Sequence, residues 1–223
     1  GGTVILADAG EGDQAGTASV LWSAPSDYGQ ALARRLADGK DLSWTELDHA
    51  RWGVLDRDSD LGWRSPNLWL SDQYEGMTLD DLSQVTTYAS YEELLRAAAA
   101  EEIDLFPMPR VALEDWAEAW TLESSRTDAA GHSGLGRPVP MTEEVFEIAS
   151  FEPLLSSLAV VREEDTLSSD TFAQALAAAL EELGQTPEGQ ALLSVLGANR
   201  YVPAGAEQLD PLRRILTMEG VAL

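Results

Sequence analysis

Cysteine is absent from all 223 residues, which excludes disulfides, thiol nucleophiles and cysteine-held metals and leaves the redox compartment open. Lysine is nearly absent: Lys40 is the only one. Fourteen Lys+Arg face 39 Asp+Glu, giving a formal charge of -25. So negative a surface repels nucleic acid and anionic lipid, so no nucleic-acid partner is expected; it suits solubility in a salty or extracellular setting. It also repels anionic solutes at long range, which a local site can overcome. No apolar run reaches the ~18 residues of a membrane span. No signal peptide is visible, and the start at Gly1–Gly2 leaves room for a leader or lipid-attachment segment upstream. Histidine is scarce, with only His49 and His132.

What is present is globular: 44% hydrophobic and 24% charged. Thr3–Ala7 and Ala18–Ser23 are apolar runs that read as two strands joined by a loop. Ser26–Leu36 reads as a helix stopped by Gly39, and Ser43 with Glu46 as a capping box. Trp52–Asp56 is a short strand candidate, followed by the polar turn Arg57–Asp60 and a helix from Leu61, with Pro66 in its first turns. Gln84–Ala89 is β-rich. Ser90 and Glu93 form a second capping box opening a helix over Tyr91–Glu102, and Ile103–Phe106 is a strand ended by Pro107 and Pro109. The middle third thus alternates strand and helix, which predicts a mostly parallel sheet flanked by helices. Glu114–Leu122 reads as one helix, Ser124–Pro140 as a Gly/Ser/Pro-rich loop, and Leu155–Arg162 as a strand. Ser169–Leu183 places Phe172, Leu176, Leu180 and Leu183 on one helical face; Thr186 caps a further helix with Pro187 first and Gly197 after its end.

Four stretches carry a family resemblance. They are SWTELDHARWGVLD (43–56), DRDSDLGWRSP (56–66), SYEELLRAAAAEEIDL (90–105) and TPEGQALLSVLGANRYVPAGAEQLDPL (186–212). Their order and spacing resemble the phosphate/phosphite/phosphonate-binding proteins of ABC importers, a type-2 periplasmic binding fold. The last stretch is the most specific, because several residue types recur at fixed spacing. The resemblance implies an α/β fold of two lobes closing over a small-molecule solute, delivery to a membrane permease, and a periplasmic or extracellular place, with lipid attachment as one form of it. It implies a main ligand-binding lobe over 18–162, with 1–17 and 163–223 as an incomplete remainder of the other lobe and its C-terminal helices. The βαβ segment that usually opens the first lobe is not recognised. A monomer without catalytic residues, cofactor or metal is expected.

The resemblance also places the ligand at the start of the helix near Leu61, where free amides and the helix dipole favour an anion. The candidate ligand residues are Asp56, Ser59, Asp60, Leu61, Gly62 and Trp63, then Ser90 and Tyr91, and then Met108 and Arg110 at the cleft edge. Where the family offers a Ser-Thr-Ser triplet, this chain has Ser59, Asp60 and Leu61. A like charge on Asp60 opposes an anion by about 1–4 kcal/mol at intermediate dielectric, and suits an amine or a polyol better. Tyr91 and Trp63 read equally as ligand-stacking rings or as buried aromatics, and Arg110 as a carboxylate clamp or a solvated arginine.

Rival readings exist. Asp56-Arg57-Asp58 after an apolar strand matches the D-x-D of haloacid-dehalogenase-type, magnesium-dependent phosphatases, but their downstream cation is missing, since Lys40 lies upstream. As an EF-hand loop the run has Leu61 at its sixth position and Asn67 at its twelfth, where glycine and glutamate belong. His49 and His132 read as plain surface histidines away from any nucleophile elbow. Glu92/Glu93 and Glu101/Glu102 read as solvated helix faces, and Trp116 with Trp120 as core packing. A sensor or interaction domain built on the same fold is the third class.

Overall fold

The computed structural model describes residues 2–9, 15–162, 170–195, 198 and 200–221. They fall into two compact units, Ser19–Glu152 and the combination of Gly1–Ala18 with Pro153–Leu223.

The unit Ser19–Glu152 is built on a five-stranded sheet. Its strands are β2 (Val20–Ser23), β3 (Trp52–Val54), β4 (Val85–Thr87), β5 (Leu105–Met108) and β6 (Phe146–Ser150), in the order β4-β3-β5-β2-β6. β3 pairs in parallel with β4 and β5, whereas β2 runs antiparallel to both β5 and β6. Four of the five strands therefore point one way and β2 alone opposes them. The α/β class with a mostly parallel, helix-flanked sheet follows from the strand–helix alternation, as the sequence predicts.

Alternation along the strands supplies two apolar faces. Val20 and Trp22 join Phe106 and Met108 on one face, and Leu21 and Leu105 lie on the other. The first face is covered by α4 (Tyr91–Ala99), α5 (Arg110–Glu114), α6 (Ala117–Thr121) and α7 (Met141–Glu144). The second is covered by α1 (Asp27–Ala37), α2 (Trp44–His49) and α3 (Ser65–Gln73). Glu46 closes the Ser43 capping box over α2. Ser26 caps α1 by accepting from Gly29 N–H at 3.1 Å and donates its hydroxyl to Asp104 Oδ1 at 2.6 Å.

Three expectations shift. β5 continues through Pro107 instead of stopping before it, because β3 pairs with β5 only at Leu105, so on that side Pro107 has no ladder to break. The helix expected over Glu114–Leu122 is two short ones, α5 and α6, broken where the Trp116 N–H bonds to Leu113 C=O. There Trp116 turns inward and stacks on His132, with ring centroids 4.1 Å apart. His132 is thus no plain surface histidine; its Nδ1 lies 3.0 Å from Asp128 Oδ2. The loop over 124–140 is tied down by Arg137, which forks onto Glu144 at 3.0 and 2.7 Å and reaches Ala99 C=O and Glu101 at 2.9 Å. Glu101 itself ends α4 in the left-handed region, at φ 60°.

The second unit holds the three-stranded sheet β7-β1-β8: β1 (Gly2–Asp8) lies between β7 (Ala159–Arg162) and β8 (Tyr201–Pro203), antiparallel to both. β1 and β2 therefore belong to different sheets. Leu6 packs with residues of α8 (Asp170–Leu183) and α9 (Pro187–Val195), while Ala7 packs with Leu155 and Val202. Leu180 and Leu183 join the Leu6 cluster, but Phe172 remains exposed. Thr186 caps α9 through Gly189 N–H at 3.1 Å. The chain ends in α10 (Asp210–Met218). Ser169 and Gly197, expected at helix boundaries, lie outside the described residues.

Candidate functional site

Because β4, β3 and β5 are parallel neighbours, the segments that leave them share one edge of the sheet. These segments are 55–63 after β3, 88–91 after β4 and 109–110 after β5. The topology thus gathers the three stretches that carry the predicted ligand residues. In open α/β sheets this carboxyl edge is where ligands collect.

The turn after β3 is shaped by Pro66. In a regular α-helix its missing N–H would have served the carbonyl of Gly62 and its ring would press on that carbonyl. The first turn instead widens to a π-helical segment over Asp60–Arg64, which runs directly into α3. The Gly62 carbonyl turns to the Leu55 N–H at 3.3 Å. Only glycine fits there: a β-carbon at 62 would lie 2.6 Å from Leu55 Cβ and Cγ. Ser59 caps the segment, its Oγ accepting from Gly62 N–H at 3.0 Å while its carbonyl accepts from Trp63 and Arg64. The amides of Asp60 and Leu61 have no protein partner among the described residues.

Asp60 is exposed, and its Oδ1 meets Arg64 Nη1 at 3.0 Å. Sequence reasoning missed this arginine, although Asp and Arg four apart on a helix are a legible pair. Arg64 also lies 3.9 Å from Asp58 Oδ1, so one cation is shared between two of the three aspartates of this turn. Asp56 is also exposed, but its Oδ1 accepts the Asp58 N–H at 3.0 Å. Between them, Arg57 pairs with Asp80 and lies 4.6 Å from the centroid of Trp63. Trp63 is buried at 8% exposure in the sheet's second apolar face, so it packs the core, with Arg57 over its ring. Asn67, the twelfth residue of the supposed calcium loop, accepts the Leu79 N–H at 2.8 Å. No group of three or more His, Asp or Glu among the described residues is arranged to hold a metal.

At the start of α4, the Ser90 Oγ accepts from Glu93 N–H at 3.2 Å, while the Glu93 carboxylate takes the Ala89 N–H at 3.1 Å, one residue earlier than a capping box would place it. The amides of Tyr91 and Glu92 have no protein partner among the described residues. Tyr91 packs against the first apolar face, and burial pushes its phenol up to about 12. It therefore stays neutral, a donor at any physiological pH. After β5, Met108 is 1% exposed in the core, and its carbonyl accepts the Trp22 indole N–H at 2.9 Å. Arg110 begins α5, bonded to Glu147 Oε2 at 2.6 Å, with its guanidinium 5.3 Å from the centroid of Trp22. The groups this edge presents are thus helix-start amides, the Ser59 and Ser90 hydroxyls and the Asp60–Arg64 pair; Trp63 and Met108 support it from below.

A family model described as the periplasmic, phosphonate substrate-binding protein of an ABC transporter matches residues 2–209. The chain belongs to that family. Among solved structures, a binding-protein component of an ABC phosphonate transporter from Pseudomonas aeruginosa matches with a TM-score of 0.52 and 17% identity, over 98% of this chain and 63% of that one. A Xanthomonas citri protein solved with ATP matches with a TM-score of 0.55 and 12% identity, over 97% of this chain and 70% of that one. PhnD1 from Prochlorococcus marinus, solved with methylphosphonate, matches with a TM-score of 0.52 and 11% identity, over 99% of this chain and 72% of that one. At such identities the likeness speaks for the fold. The chain spans 63% of the length of the first of these relatives. No curated protein matches the sequence. Within this phosphonate-binding family, the present member carries an ion pair, Asp60–Arg64, in the turn where the sequence resemblance leads one to expect hydroxyls.

Proposed function

We propose that the chain is the extracytoplasmic solute-binding component of an ABC importer, and that it captures a small polar solute with an oxyanion head at the carboxyl edge of its five-stranded sheet. It makes and breaks no bond in the solute. The units Ser19–Glu152 and Gly1–Ala18 with Pro153–Leu223 are read as the two lobes of such a protein, and a membrane permease as its partner. One observation carries the head-group assignment: two helix starts, at Asp60 and at Tyr91, follow adjacent parallel strands, and each keeps two amides without a protein partner among the described residues. Such paired starts favour negative charge, and Arg64, 3.0 Å from Asp60 and 3.9 Å from Asp58, offsets part of the opposing charge. The Ser59 and Ser90 oxygens already accept amide hydrogens, so their hydroxyl hydrogens remain to be donated outward.

A thermal-shift screen across phosphonates, phosphate, amines, sugars and nucleosides tests the reading. A solute at about 100 times its dissociation constant stabilises the folded state by about 2.7 kcal/mol. A shift confined to amines, or no shift from any oxyanion, removes the proposed head group.

A further inference from the structure

At the other end of the same sheet, the unit Ser19–Glu152 carries a solvent-open surface cavity of about 650 Å³, whose lining residues are all exposed or half-buried. Phe146 opens β6, which runs in the same direction as β3, β4 and β5, so the cavity sits at the amino end of the strands. One wall is α1, which contributes Gln30, Ala33, Arg34 and Ala37 at i, i+3, i+4 and i+7, with Leu36 beside them. The facing wall is Glu143 of α7 and Phe146 of β6. Ala33 and Ala37 are too small to fill the space, and Phe146 is left 38% exposed beside it.

With 39 Asp+Glu to 14 Lys+Arg, an arginine rarely lacks an acid. Arginines 35, 51, 57, 64, 96, 110, 137 and 213 each reach a carboxylate. Arg34, like Arg126, has no side-chain partner among the described residues, and neither has Glu143; Arg34 and Glu143 line the same cavity. The dipole of α1 accounts for a cation in its last turn, but not for the open space next to it. Glu147, also on the lining, is neutralised by Arg110 at 2.6 Å. Gln30 donates its amide hydrogens to Ala24 C=O at 3.0 Å and Glu144 C=O at 2.6 Å, leaving its own side-chain oxygen as an acceptor.

We infer that this cavity is a second small-molecule site, for a zwitterion with an apolar body, the chemistry of a hydrophobic amino acid or a short peptide. The carboxylate meets Arg34, the ammonium meets Glu143, and the apolar part lies on Phe146 over Ala33 and Ala37. The volume falls in the range of ordinary ligand pockets, about 300–1,000 Å³. The site is independent of the solute proposed for the carboxyl edge.

Titration calorimetry with leucine, phenylalanine and leucyl-leucine tests it, with N-acetyl-leucine and leucinamide as probes that lack one charge each. At least one zwitterion binds saturably, and the amino acids against the dipeptide tell which length fits. Affinity falls by about tenfold or more, a loss of about 1.4 kcal/mol, on Arg34→Gln, on Glu143→Gln and with either one-charge probe. Asp60→Asn leaves it unchanged. Ala33→Trp, which fills the space, abolishes binding while circular dichroism stays native. The inference is overturned if no zwitterion gives a saturable heat, or if Arg34→Gln and Glu143→Gln bind as the parent does.

Discussion

Arg51 holds Asp104 through both side chain and backbone: Nη2 lies 2.7 Å from Oδ1, Nε 3.0 Å from Oδ2, and the Arg51 amide 2.7 Å from Oδ2. Ser26 adds its hydroxyl at 2.6 Å. Asp104 is 2% exposed, and its contacts tie the start of β5 to β3 and α1. Burial alone raises the Asp104 carboxyl, but the bonds from Arg51 and Ser26 prevail and hold it below the ordinary carboxylate value.

Removing the arginine strands a buried charge. Arg51→Ala is expected to lower stability by about 3 kcal/mol, the low end for breaking a buried pair, because Arg51 is itself partly exposed. Since the folded carboxyl titrates below its unfolded value, its contribution is complete above about pH 4–5 and is lost as pH falls through the folded value. Urea unfolding of parent and variant from pH 7 downward reads both effects. A parent whose advantage over Arg51→Ala does not shrink in acid contradicts the assignment.

Arg137 and Glu144 are a second such lock, joined by two parallel bonds and both largely buried. Arg137→Lys keeps the charge but loses the fork. It should sit between the parent and Arg137→Ala in thermal unfolding, with the alanine variant about 3 kcal/mol less stable. Limited proteolysis should then cut first within 124–140, the segment Arg137 anchors.

Gly62 is fixed by contact. Gly62→Ala drives a methyl into Leu55 at 2.6 Å and should destabilise the fold by about 1–3 kcal/mol. Because the widened turn must move with it, solute binding at the carboxyl edge weakens as well. Ser59→Ala removes both the cap and a proposed solute donor, and should lower stability by about 1 kcal/mol and weaken binding at the carboxyl edge.

The Asp60–Arg64 pair gives a charge test of the proposed oxyanion. Arg64→Gln unmasks Asp60 and should reduce oxyanion affinity by about tenfold, whereas Asp60→Asn should raise it, each being about 1.4 kcal/mol. Calorimetry at low and high salt checks the sign. Equal affinities in both variants would put the head group elsewhere.

Much of this was readable from local chemistry. Ser43 with Glu46, Ser90 before α4 and Thr186 before Pro187 are caps whose partners lie within four residues, so sequence alone locates them. The strand–helix alternation from Trp52 to Met108 likewise reads as a mostly parallel sheet, and β3 pairs in parallel with both β4 and β5. What escaped depends on partners far along the chain. Nothing near Asp104 announces Arg51, 53 positions away, nor does the stretch around His132 announce the ring of Trp116. The breadth of Trp63 and the apolar length of Met108 suit a ligand wall or a core equally, and only the packing placed them in the core.

Within the five-stranded sheet β2 runs against the other four strands, and Phe151 N–H bonds to Ser19 C=O at 3.0 Å. Ser19 and Phe151 therefore bracket a self-contained stretch whose two ends are already neighbours. A gene fragment encoding 19–152 should yield an autonomous polypeptide, and a short bridge between those ends should permit new termini elsewhere, for example at Gly76 in the exposed turn after α3. The chain is thereby open to evolution, and to engineering, by transplanting that stretch whole.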